Sequence, residues 1–231
     1  MGESGSRAGS GLRPKETQRL TSLHTDPACA LFPAAAGCQT QTFCYNLTVK
    51  AAQYCVTAFP KLDNEAQLQR LRERFDPAPY RVKPHIPVVL PFTPANLDEI
   101  QNVIDHVSTA RRTLRPLAVS FHKCIERGEH LCFTLDEGQE GLAELHTRVA
   151  GVQPLPLLRD TPAYEPLVWL CRVPDQDRRA QALAEANRIG KSLGVVDALS
   201  VIRIEPDGDL SLMSVYPFGV GRVDYYDRFP V

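Results

Sequence analysis

No charge of either sign predominates in this sequence: 26 Lys and Arg stand against 27 Asp and Glu, a formal net charge of −1 over 231 residues. That balance excludes a global basic field of the kind that draws a whole protein to nucleic acid, and it excludes an acidic solvating tail, while leaving room for a local basic groove. Long hydrophobic runs are missing too. None approaches the roughly 18 to 20 residues that a bilayer-crossing helix requires, so no membrane partner is expected. The seven cysteines form no C-x-x-C pair and no Cys/His grouping at zinc-finger spacing, which argues against a metal site, and no cofactor motif replaces it. Cys55, Cys132 and Cys171 lie inside apolar stretches, as small buried thiols do in a reducing compartment, and the expected location is the cytoplasm.

What is present divides unevenly. The first twenty residues, MGESGSRAGSGLRPKETQRL, are rich in Gly, Ser and charge without apolar periodicity. Such a stretch buries too little surface to offset its ordering entropy, and residues 1–50 are read as a disordered extension. Within it, ACALFPAAAGC resembles an export signal, but Pro33 interrupts it, Asp26 precedes it, and Ala35 stands where a large apolar residue is usual, so no export is expected. Asn46-Leu47-Thr48 fits a glycosylation acceptor that matters only in an exported chain.

A single domain is expected over residues 51–231. QYCVTAF alternates as a strand does, and Asp63 is placed to cap a helix over NEAQLQRLRERF, with Leu68, Leu71 and Phe75 on one face and Arg70, Arg72, Glu73 and Arg74 mainly on the solvated side. Asp76 to Pro79 breaks that helix, and IPVVLPF reads as a buried strand. Leu97, Ile100, Ile104 and Val107 mark a second helix ending in Arg111, Arg112 and Arg115. LAVSFHKCI and HLCFTLDEG pair around Gly128, and GLAELHTRVAG is helical. A proline-rich loop, VQPLPLLRDTPAYEP, leads to the strand LVWLCRV, the helix QDRRAQALAEANRIGKSL and a hairpin around Pro206-Asp207-Gly208. The two halves repeat one order of elements, which suggests duplicated lobes whose sheets face each other across a groove.

YRVKPHIPVVLPF, residues 80–92, resembles the first signature of the 2H phosphoesterases, the 2'-5' RNA ligase group, in which a proline precedes His-x-Thr or His-x-Ser in a strand. His85 falls on the signature histidine. Tyr164 to Arg172, YEPLVWLCR, matches the second signature in frame, with Leu167 at the histidine position, while Pro87 and Trp169 occupy the two hydroxyl positions. The resemblance covers about residues 51–220. It implies an α+β fold of two pseudo-duplicated lobes, antiparallel sheets facing a central groove and helices outside.

The resemblance also implies metal-independent phosphodiester chemistry on RNA ends or small nucleotides, such as opening a 2',3'-cyclic phosphate or handling a 2'-5' linkage; a monomer is expected. Its logic is physical. One imidazole removes a proton and another supplies one, and a hydroxyl two residues along a strand faces the same way as its histidine and can donate to a phosphate oxygen. Here His85 is the single retained catalytic candidate, and Lys83, Arg81, Arg172 and Trp169 are candidates for substrate binding, with Arg203 a further cation beside the last hairpin. Trp169 is the chain's single tryptophan, placed to stack a base or to fill space. His122 and His130, on the neighbouring hairpin, are the candidates to replace the lost imidazole, while His106 and His146 lie on helices and carry no expected role. Three readings follow: an impaired enzyme, which needs a second acid or base near His85; a pseudoenzyme that binds nucleotide or RNA ends in a basic open groove; and a scaffold whose groove is filled by Trp169 and Leu167.

Overall fold

The computed structural model describes residues 51–150 and 163–226. The expectations for residues 1–50 and for most of the proline-rich loop lie outside these residues. Among the described residues ten strands form two five-stranded antiparallel sheets, accompanied by four α-helices. The first sheet runs β10 (Asp224–Tyr225), β9 (Leu210–Pro217), β8 (Ala198–Ile204), β1 (Gln53–Ala58), β3 (Ile86–Phe92). The second runs β2 (Lys61–Leu62), β7 (Ser192–Val196), β4 (Leu117–Arg127), β5 (His130–Glu137), β6 (Leu167–Arg172). Each sheet therefore takes strands from both halves of the chain, and the repeated order of elements does not divide into one half per lobe.

The helices are exchanged in the same way. Helix α1 (Glu65–Phe75) follows β2 yet packs on β6 and on α4 (Gln176–Ala186), while α3 (Gln139–Ala150) follows β5 yet packs on β3 and on α2 (Leu97–Ala110). One continuous apolar core results, from Val56 and Leu68 through Phe121 and Phe133 to Leu199 and Tyr216. A fully buried residue such as Leu68 contributes roughly 1.5–3 kcal/mol relative to leaving it in water.

Helix α1 begins after Asn64 rather than Asp63; the Asp63 carboxylate instead accepts the Leu193 amide at 3.0 Å. The helix buries Leu68, Leu71, Arg72 and Phe75. Arg72, expected on the solvated side, is 1 % exposed. Its position follows from the period: residues 68, 71, 72 and 75 form the i, i+3, i+4, i+7 stripe that an α-helix turns toward a core. Arg111, read as part of a basic helix end, is also buried, donating through Nη1 to the carbonyls of Pro217 at 3.0 Å and Gly221 at 2.7 Å.

Two further expectations change. The last helix stops at Ala186, and the sequence Ser192–Val196, read partly as its continuation, is the strand β7 between β2 and β4. Strand β3, read as a buried strand, is an edge strand with Pro87 and Pro91 at partly exposed or exposed positions. Its two prolines, Pro87 and Pro91, are tolerated there, where a missing N–H leaves few neighbours unpaired. The pairing with β1 is irregular on both sides of Val56.

Candidate functional groove

The edges of the two sheets meet at one point. His85, just before β3, and Trp169, in β6, exchange backbone hydrogen bonds, His85 N–H to Trp169 O at 3.1 Å and Trp169 N–H to His85 O at 2.7 Å. The two signature segments are thereby placed side by side, and the rings of His85 and Trp169 both line the groove between the sheets. Alternation along β6, interrupted by an irregularity opposite Leu131 and Cys132, puts Leu167 and Trp169 on the face shared with Thr134 and Cys132, and Val168 on the core side.

His85 is half-buried. Its Nδ1 lies 2.9 Å from the carbonyl oxygen of Lys83. A carbonyl only accepts, so Nδ1 carries the hydrogen and Nε2 presents a lone pair. Burial lowers the pKa to about 4; the Lys83 carbonyl acts in the opposite sense, and the positive charges of Arg72 and His130 depress it further. At neutral pH the ring is uncharged and a weak base.

On one side of His85 and Trp169 the groove opens into a cavity of about 280 Å³ that also takes in Arg72, Arg81, His130 and Arg172. The His130 ring lies 4.8 Å from that of Trp169, and burial followed by the charge of Arg172 lowers its pKa. Arg81 pairs with Asp209 at 3.1 Å and Arg172 with Glu129 at 2.7 Å. Buried Arg72 donates to Gln69 Oε1 at 2.8 Å and to the Val82 carbonyl, and its Nε has no hydrogen-bond partner among the described residues. Burial lowers its pKa, offset by the Asp76 carboxylate. That carboxylate itself accepts the Ala78 and Arg172 amides.

On the other side lies a smaller, apolar cavity of about 150 Å³, lined by Cys55, Pro87, Ile202, Ile204 and Leu210 beside His85 and Trp169. Two of its lining residues, Cys55 and Ile202, belong with Leu212 to a small apolar cluster separate from the main core. The one hydroxyl there, Thr57, already donates to the Ile86 carbonyl at 3.0 Å, and burial pushes the Cys55 thiol up to about 12.

Of the residues singled out by sequence, His85, Trp169, Arg81 and Arg172 share the groove, and Pro87 lines its apolar side. Leu167 is buried, 6 % exposed. Lys83 pairs with Glu65 at 2.9 Å and Arg203 with Glu205 at 3.1 Å, and neither lines these cavities. His130 reaches the groove; His122 does not, being tied to Asp136 at 2.7 Å. His146 bonds the Val88 carbonyl at 2.6 Å and stacks on Tyr164 at 4.2 Å, as a satisfied core histidine does. Arg72 was missed, although its spacing from Leu68 and Phe75 carried the signal.

Among the described residues no group of His, Cys, Asp and Glu is arranged to hold a metal ion, and no helix is long and apolar enough to cross a membrane. No curated protein matches the chain. Among solved structures, TT0787 of Thermus thermophilus aligns over 73% of this chain and 100% of its own, at 14% identity and a TM-score of 0.49. E. coli LigT complexed with NADP+ aligns over 74% and 99%, at 9% identity and a TM-score of 0.44. The model of the 2'-5' RNA ligase superfamily matches residues 60–208, a span that contains both signature strands, the bridge between them and the residues lining the charged cavity, and the chain belongs to that superfamily.

Proposed function

We propose that this protein binds phosphate-bearing ligands, RNA ends or small nucleotides among them, in the groove between its sheets, and turns them over poorly or not at all. The observation that carries this reading is the pairing of His85 with the wrong neighbours. The position that should supply a second imidazole is the buried Leu167, and the two hydroxyl positions are Pro87 and Trp169; none of the three moves a proton, and Leu167 and Pro87 have no side-chain donor for a phosphate oxygen. One positioned acid or base typically contributes about 10²- to 10⁴-fold to rate, and each lost oxyanion donor a comparable factor. His85 retains the tautomer of a proton acceptor, but a pKa near 4 leaves little driving force for abstraction at neutral pH.

Binding is supported by the cationic side of the groove, where Arg81 and Arg172 accompany His130 over buried Arg72. His130 is the residue that bears on residual turnover, because it is the one other imidazole lining the cavity with His85. The test is hydrolysis of 2',3'-cyclic nucleotides and 2'-5'-linked oligonucleotides by the purified protein, beside His85→Ala and His130→Ala. We expect no turnover above the two variants, with phosphate esters still bound. Turnover lost in both variants would overturn the non-catalytic reading and assign His130 the place of the missing acid.

A further inference from the structure

The groove has two chemically different ends that share His85, Trp169 and Val82. From this juxtaposition we infer that its ligand is an anionic amphiphile, a phosphate monoester whose remaining body is apolar, with its head among Arg81, Arg172 and His130 and its body over Ile202, Ile204 and Leu210. The inference rests on the reading that the groove holds a phosphate, and it names what the phosphate is attached to.

Two arguments support it. The first concerns the apolar end. A nucleoside placed there would bury ribose hydroxyls and base edges against Ile202, Ile204, Leu210 and Pro87, with the nearby Thr57 hydroxyl already committed to a backbone carbonyl. Each buried polar group left unpaired costs about as much as several methylenes gain. An alkyl, prenyl or similar body brings no such groups. The second concerns the charged end. The ion pairs of Arg81 and Arg172 have side chains roughly half exposed, and such pairs are weak enough to be exchanged for a ligand anion. Beneath them the guanidinium of Arg72 is bonded to a carbonyl and an amide oxygen, which orient it; the Asp76 carboxylate, which lines the same cavity and offsets part of that charge, is held by the Ala78 and Arg172 amides. The two cavities, about 280 and 150 Å³, together fall in the size class of a small organic ligand rather than a polymer segment.

The geometry also favours a free molecule over a bilayer headgroup, because the apolar cavity shares Val82, His85 and Trp169 with the charged one, so the apolar body adjoins the phosphate site. A headgroup docking from a membrane would leave its acyl chains in the bilayer and the apolar cavity unfilled.

Trp169, as the single tryptophan, reports occupancy directly, since it lines both cavities. The experiment is a titration of the full chain, followed by Trp169 fluorescence and by calorimetry, with inorganic phosphate, AMP, 2',3'-cyclic AMP, and butyl, hexyl and octyl phosphate below their micellar concentrations. Each added methylene is expected to tighten binding about threefold to fourfold until the apolar cavity is full. Octyl phosphate should then bind at least tenfold tighter than AMP. Leu210→Glu is expected to abolish the chain-length dependence while sparing inorganic phosphate, and Arg81→Glu to weaken every phosphate. Both positions are half-buried or exposed, so folding is retained, as far-UV circular dichroism checks. Nucleotide binding as tight as octyl phosphate, with no chain-length dependence, overturns this inference and leaves the phosphate-binding reading standing. Failure of every phosphate to bind overturns both. Stronger binding to phosphatidate-containing vesicles than to monomeric octyl phosphate overturns the assignment to a free ligand.

Discussion

His85 takes up a proton at much lower pH in the folded protein than in the unfolded chain, and this links it to stability. Its pKa falls from 6.5 to about 4 on folding, chiefly through burial. Between these values the unfolded chain is protonated and the native state is not, so the unfolded state binds more protons and stability falls as pH drops through that window. Above pH 6.5 the contribution is intact. We expect the urea midpoint of the native protein to decline from pH 6.5 toward 4, and His85→Gln to flatten part of that decline; an identical pH profile in the variant would remove His85 as the source. Arg72 makes a complementary case. Its charge is desolvated and its Nε unpartnered among the described residues, so Arg72→Met should relieve a charge-burial cost while stranding the Val82 carbonyl, two effects of opposite sign. The net change is expected within about 1 kcal/mol of the native protein, whereas Arg72→Ala adds a cavity and should cost about 3 kcal/mol. Chemical denaturation of the two variants side by side separates them.

Among the connecting elements, Gly138 and Gly190 make opposite predictions. Gly138, between β5 and α3, has φ near +94°, and an added Cβ would lie 2.8 Å from both the Ala118 carbonyl oxygen and Val119 Cγ1. Gly138→Ala is expected to cost about 2–4 kcal/mol, combining a left-handed backbone with overpacking against β4. An alanine at Gly190 meets nothing within 4 Å, and that change should stay within about 0.5 kcal/mol. Thermal unfolding of the pair is the check.

The elements whose pattern is local were legible in the sequence: the strand β1, although its last four residues are all buried rather than alternating, the spacing of α1 and α2, and the hairpins at Gly128 and Gly208, both with positive φ. What escaped was set at longer range. Strand β7 follows a run of good helix formers and owes its extended form to pairing with β2 and β4, a tertiary override of propensity. The edge position of β3, which makes Pro87 harmless, depends on which strands close the sheet. In the groove, His85, Trp169, Arg81 and Arg172 could be named because signature spacing fixes them. The partnership of His130 could not, since it rests on β5 pairing beside β6.

At the scale of the whole molecule, one core runs beneath both sheets, so the lobes are not independent folding units. Unfolding in urea followed by Trp169 fluorescence, at the seam, and by far-UV circular dichroism, across all elements, should give coincident two-state transitions. A fluorescence transition preceding the loss of secondary structure would show instead that the seam opens by itself.

The interleaving of the two halves carries one more consequence. Residues 51–150 hold two strands of the first sheet and three of the second, and residues 163–226 hold the remaining three and two. Neither piece contains a complete sheet, and β7 must insert between two strands of the other piece. Divided between residues 150 and 163, the polypeptide would yield two fragments, each keeping some hairpin pairings but leaving the edges that join β1 to β8, β4 to β7 and β5 to β6 unpaired, and the native structure and the Trp169 signal are expected to return when the two are mixed. The same architecture that makes each half incapable of folding alone thus makes the pair a natural system for reconstitution, in which the groove reassembles as the fragments find each other.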